Sequence, residues 1–121
     1  MIVDDDYSSR RLIERIIRLN FGFQVVHADD GSEALRAMLK EAPDLVILDM
    51  IMPVTNGVEV LKIMNDSDEL SKIPVIACTS IGNDKIVKEV IKYGVEGYVV
   101  KPVSRKALVD KVAAIENVDM E

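Results

Sequence analysis

Apolar runs of strand length alternate along the chain with stretches whose apolar residues recur at helical spacing. Met1–Val3, Gln24–His27, Leu45–Leu48, Val75–Cys78 and Gly97–Val100 are short and nearly continuous in apolar character, which suits strands of a parallel sheet covered on both faces. Between them Leu12, Ile13, Ile16 and Ile17, then Ala34, Leu35, Met38 and Leu39, then Ile86, Val87, Val90 and Ile91 each mark one face of a helix. These stripes are core and carry no cofactor role. Ser8 or Ser9, Ser32, Asp84 and Ser104 stand where helix N-caps belong, and Gly22 and Gly94 stand just past helix ends. Asp66 to Lys72 is polar and reads as a loop. Five strands and five helices in strict alternation, joined by short connections, predict an α/β fold with a doubly wound parallel sheet of order 2-1-3-4-5. In that order the first and third strands are neighbours at the switch point.

Composition narrows the function. The 121 residues suffice for a single domain, 1–121, whose charged end from Glu116 to Glu121 lacks an apolar stripe and is expected to fray. A net charge of −6 disfavours binding to a nucleic-acid backbone. No apolar stretch approaches the roughly 20 residues of a spanning helix, and no charged-then-apolar leader opens the chain, so the expectation is a cytoplasmic protein without membrane contact. The single cysteine, Cys78, sits in an apolar run and reads as a small buried residue.

The chemistry lies where the apolar runs stop. Asp4 and Asp5 follow the first strand and Asp49 follows the third, so the topology brings three carboxylates to one shallow cleft at the carboxyl edge of the sheet. Packed anions raise one another's pKa unless a cation joins them. A hard divalent cation, Mg²⁺ with Mn²⁺ as a substitute, suits oxygen ligands and retains positions for phosphate. A carboxylate can attack a phosphoryl group to give an acyl phosphate. The repulsion between two anions is then relieved by the metal, by an ammonium and by a hydroxyl, and Lys101 and Thr79, after the fifth and fourth strands, are of the right types.

Taken together, Ile2-Val3-Asp4-Asp5-Asp6, Leu48-Asp49-Met50-Ile51-Met52-Pro53 with Gly57, Thr79-Ser80, and Gly97-Tyr98-Val99-Val100-Lys101-Pro102 resemble the receiver domain of two-component response regulators, with Thr79 thirty residues beyond Asp49. The match spans essentially the whole chain. The resemblance implies a flavodoxin-like fold and a module that accepts a phosphoryl group on Asp49 from a histidine kinase, a phosphotransfer protein or a small phosphodonor. It implies Mg²⁺ held by Asp5, Asp49 and the backbone carbonyl of Ile51, with Asp4 acting through water. It further implies that Lys101 pairs with the phosphoryl group across a cis Lys101-Pro102 bond. Thr79 and Tyr98 would switch a face made by the fourth helix (within Asp84 to Tyr93), the fifth strand and the fifth helix (within Ser104 to Ile115). Such a protein catalyses only its own phosphorylation and dephosphorylation and is not an enzyme on an external substrate. Its partners would be the kinase and either a downstream target or an output domain, with homodimerisation through the switch face a further option. Receivers usually begin a few residues before the point where this first strand does, and no output domain follows Glu121, which fits a stand-alone receiver or an excised one.

Two alternatives come from other classes. A binding module could use the receiver fold without phosphorylation. A phosphatase of the haloacid dehalogenase type would take Asp4 as nucleophile and Asp6 as acid, but Ser8 stands where that family has Thr or Val, and no acidic pair follows the fourth strand. A flavin carrier would need a hydroxyl- and glycine-rich loop where three acids stand. His27, the only histidine, is assigned a structural or solvated role, Asp6 a helix-capping one, and Arg10, Arg11, Lys85, Lys88 and Lys92 to solvated helix faces.

Overall fold

A computed structural model of the chain describes residues 1–52, 56–80 and 84–115. The elements run β1 (Ile2–Val3), α1 (Tyr7–Phe21), β2 (His27–Ala28), α2 (Gly31–Glu41), β3 (Val46–Asp49), α3 (Gly57–Asp66), a 3₁₀ turn (Leu70–Lys72), β4 (Val75–Ser80), α4 (Asp84–Lys92), β5 (Gly97–Lys101) and α5 (Arg105–Ala113). The five strands form one parallel sheet in the order β2-β1-β3-β4-β5, as the alternation predicts.

Strand alternation divides the core between the two sheet faces. Val3, Val46, Leu48, Val75 and Ala77 pack with residues of α2, α3 and α4. Ile2, Ile47, Ile76, Cys78 and Val99 pack with residues of α1 and α5. The same alternation decides the site, because Asp4, Asp49 and Lys101 have the parity of Ile2, Ile47 and Val99. All three therefore fall on the α1/α5 side of the carboxyl edge.

Several boundaries differ from the sequence expectation. β2 covers His27–Ala28, because Ile2 is in register with His27 and the residues from Gln24 to Val26 meet no strand of β1 beyond the Val26 carbonyl, which accepts from Ile2 at 2.8 Å. The α1 and α2 caps are Asp6 and Asp30, whose side chains accept the amides of Ser8 and Glu33; Ser8, Ser9 and Ser32 lie inside the first turns instead. A carboxylate in each case precedes the serine and captures the free amide first. Asp84 is the first residue of α4, and the cap before it, at 83, lies outside the described residues, as do Pro53 and the tail 116–121. Ser104 caps α5 as expected, and Gly22 and Gly94 take positive φ at helix ends. The stretch from Asp66 to Lys72 closes α3 and then forms the 3₁₀ turn. Among the described residues no helix is long and apolar enough to cross a membrane.

Candidate functional site

Asp49 and Lys101 are the last residues of β3 and β5, Thr79 is the penultimate residue of β4, and Asp4 stands one residue past β1. The strands run slightly further than their apolar residues, because the ladder continues past them, as in the 3.0 Å bond from the Met50 amide to the Cys78 carbonyl. Asp4 and Asp49 are buried, Thr79 is 2% exposed, and Asp5 faces solvent. Asp4, Asp5 and Asp49 each bring a carboxylate oxygen within 4.8 Å of the others.

The Lys101 ammonium sits between the two buried acids, 2.9 Å from Asp4 Oδ2 and 3.3 Å from Asp49 Oδ2. The Lys101-Pro102 bond preceding α5 is cis, as the resemblance implied. Asp4 Oδ1 also accepts the Asp6 amide at 2.9 Å, and Asp49 Oδ1 accepts the Ile51 amide at 3.2 Å. Burial pushes both acids up. At Asp4 the Lys101 hydrogen bond, the Asp6 amide and the Ser9 hydroxyl outweigh it and hold the carboxyl below its ordinary value. At Asp49 burial wins, with the Asp4 charge adding to it against the Ile51 amide and Lys101, and the pKa rises to about 6. Burial pulls the Lys101 ammonium down, but hydrogen bonding to Asp4 and the Asp49 charge raise it overall, so it stays charged. One ammonium thus serves one carboxylate well and leaves the other in surplus.

A buried surplus anion beside two further carboxylates fits a hard divalent cation, which takes oxygen ligands and no other kind in preference. The Thr79 hydroxyl is the second unfilled demand: its Oγ1 is buried and makes no hydrogen bond within the described residues. Thr79 shares a sheet face with Tyr98 and Val100, since Ala77 pairs with Tyr98 and Thr79 with Val100. Tyr98 lies outward at 38% exposure, and Val100 on the same strand and Ile91 on α4 are exposed as well.

Comparison with known proteins identifies the family. Residues 1–113 match the response regulator receiver domain. The chain belongs to that family. As a receiver it is 31% identical over 115 residues to the chemotaxis protein CheY of Halobacterium salinarum, covering 95% of this chain and 93% of that protein. It is 36% identical to part of the autoinducer sensor kinase/phosphatase CqsS of Vibrio cholerae and 40% identical to part of the probable transcriptional regulator ycf27 of Guillardia theta. The receiver spans 17% and 44% of those two proteins. Among solved structures, a response regulator from Chloroflexus aurantiacus superposes with a TM-score of 0.86 at 29% identity, covering 92% of this chain and 90% of that one. Receivers are in general signalling modules phosphorylated by histidine kinases, and they bind Mg²⁺ at an acidic pocket; the described residues of this chain hold an acidic cluster of Asp4, Asp5 and Asp49.

Some residues sit in other surroundings than their place in the apolar pattern predicts. Arg10, assigned to a solvated face, is half-buried, and its Nη1 donates to the Asp4 carbonyl at 2.6 Å while the guanidinium lies 5.7 Å from the Tyr7 ring centre. Arg11 is exposed but pairs with Glu14, a buried acid that also takes Arg18 and lies 3.2 Å from His27 Nε2. His27 therefore has the structural role expected of it, tying β2 to α1. Asp6 caps α1. Cys78 is buried opposite Asp49 in the β3–β4 register, and burial pushes its thiol up to about 12.

Proposed function

We propose that this receiver accepts a phosphoryl group on Asp49. The observation that carries the reading is the sharing of Lys101: the ammonium lies 2.9 Å from Asp4 and 3.3 Å from Asp49, and Asp49 stays a buried carboxylate with a raised pKa, while the Thr79 hydroxyl near the end of the neighbouring strand is buried without a hydrogen bond among the described residues. An Asp49 carboxylate oxygen attacks phosphorus, the bond from phosphorus to the donor's nitrogen or oxygen breaks, and the donor leaves with that electron pair. Lys101 then meets one phosphoryl oxygen and Thr79 donates to another, each group having its charge or proton in place before transfer. Asp5, Asp49 and the Ile51 carbonyl would hold Mg²⁺, with Asp4 reaching it through water and Mn²⁺ able to replace it. The bound cation supplies neutralisation of charge shared between carboxylate and phosphate. Water later cleaves the acyl phosphate and restores Asp49.

The donor is a histidine kinase, a phosphotransfer protein or a small acyl phosphate. The new charge draws the Thr79 hydroxyl toward the phosphoryl oxygens, which opens space on the sheet face Thr79 shares with Tyr98, and Tyr98 turns inward. That movement alters the surface of α4, β5 and α5, where Ile91, Tyr98 and Val100 offer apolar area to a downstream protein. The ligand moves this balance only by the difference in its interaction energy with the two states.

The test is intact mass after incubation with acetyl phosphate, with and without Mg²⁺, on wild type and Asp49→Asn. One Mg²⁺-dependent phosphoryl adduct on wild type and none on the variant is the expected result. An adduct that persists in the variant assigns the acceptor to another carboxylate, and no adduct on folded wild type favours a module that works without phosphorylation.

A further inference from the structure

We propose that Arg10 is a positioning residue for the Asp4–Asp5 carboxylate pair, a role that rests on the reading of that pair as a Mg²⁺ site. β1 ends at Val3, so the Asp4 carbonyl lies past the strand, on a residue only 1% exposed. A buried carbonyl without a ladder partner needs another donor. Arg10 Nη1 is that donor at 2.6 Å, and the Arg10 amide also donates to the Asp6 carbonyl at 3.0 Å. One residue of the first helical turn thus closes the loop at both ends, through its side chain on Asp4 and its backbone on Asp6. Stacking near Tyr7 limits the guanidinium's own freedom.

The clamp matters most for Asp5. Asp4 is fixed through its amide to Ala28, its Oδ1 to Asp6 and its Oδ2 to Lys101. Asp5 is exposed and its carboxylate makes no hydrogen bond within the described residues, so its position depends on the two peptide groups flanking it. Arg10 holds the oxygen of the first. Outer groups of this kind orient metal ligands and typically govern about 10- to 100-fold in metal affinity.

Arg10 is also a cation near three acids, and the two roles predict opposite signs. Removing a positive charge alone would tighten Mg²⁺ binding, whereas releasing the clamp weakens it. The experiment is an Mg²⁺ titration followed by backbone amide shifts, with amide hydrogen exchange in metal-free protein, on wild type, Arg10→Met and Arg10→Lys. We expect Arg10→Met to weaken Mg²⁺ about tenfold and Arg10→Lys, which keeps the charge but not the planar fork, about threefold. Exchange of the Asp6 amide should accelerate in both. Tighter or unchanged binding in Arg10→Met overturns the proposal, as does an unaltered Asp6 exchange rate. Should Arg10→Met fail to fold, Arg10→Lys decides alone by the same two readings. Failure of wild type to bind Mg²⁺ would sink the metal reading instead, and the Asp6 exchange rate would still judge the clamp.

Discussion

One ammonium faces two buried carboxylates, 2.9 Å from Asp4 and 3.3 Å from Asp49, and at Asp4 the Asp6 amide and the Ser9 hydroxyl add to it in holding the carboxyl below its ordinary value. At Asp49 burial outweighs the Ile51 amide and Lys101, and the pKa is raised to about 6 from an ordinary 3.8. Because the folded protein binds this proton more tightly than the unfolded chain, ionising Asp49 costs stability above that range, and the cost fades as pH falls through about 6 toward 4. Asp49→Asn removes the charge at nearly constant shape. Without Mg²⁺ the variant should exceed wild type by about 2–3 kcal/mol at pH 7, by about half that at pH 5, and by little at pH 4. Urea unfolding at the three pH values measures the gap, and equal stability at pH 7 would show that Lys101 compensates both acids. The identity of the acids and of Lys101 was legible because each interrupts or ends an apolar run. Arg10 was not, since a guanidinium that reaches back six residues to a carbonyl leaves the same pattern as one on a solvated face.

Elements obey local chemistry that sequence displays unevenly. Helix faces were clear from apolar spacing, whereas starts were displaced toward the earlier Asp6 and Asp30 because several cap-competent residues stand in a row and only geometry selects among them. β2 was misplaced by apolar character alone, since a strand also requires a partner in register. The start of α3 shows the opposite case, where one residue type is forced. Asn56 caps the helix through the Glu59 amide, and Gly57 follows with its amide donating to the Met50 carbonyl at 3.1 Å. A Cβ on Gly57 would lie 2.6 Å from Met50 Cα and 2.7 Å from the Asp49 carbonyl oxygen, both backbone atoms that cannot swing aside. Gly57→Ala should therefore cost about 1–3 kcal/mol despite the better helix propensity of alanine. The displacement falls on the β3 terminus that carries Asp49, so amide shifts of Asp49 and Met50 should move with it. An alanine variant as stable as wild type, with those shifts unchanged, would mean that α3 slides away freely.

The molecule as a whole brings together groups that are 97 positions apart, Asp4 and Lys101, by stacking parallel strands whose carboxyl ends share one edge. That convergence followed from βα alternation and right-handed crossovers, so the site was legible at the level of topology. What topology could not supply was the electrostatic balance, which depends on distances of a few tenths of an ångström around Lys101. The balance links the site to global stability. A cation bound only by the folded state adds RT ln(1 + [L]/Kd), about 2.7 kcal/mol at a hundredfold excess over Kd. On the proposed reading Asp49 is one of its ligands and must be ionised to bind it, so protons would compete with the cation once Asp49 titrates, near pH 6. Below that point each pH unit should weaken apparent Mg²⁺ affinity about tenfold and remove about 1.4 kcal/mol of the added stability. Mg²⁺ should accordingly raise the unfolding temperature strongly at pH 7, weakly at pH 5 and very little in Asp49→Asn at either. Thermal unfolding followed by circular dichroism across both pH values gives the comparison. Equal Mg²⁺ stabilisation at pH 5 and pH 7 would place the metal away from Asp49, whereas a loss confined to the acid side ties the same carboxylate to the cation, to the proton and to the stability of the whole fold.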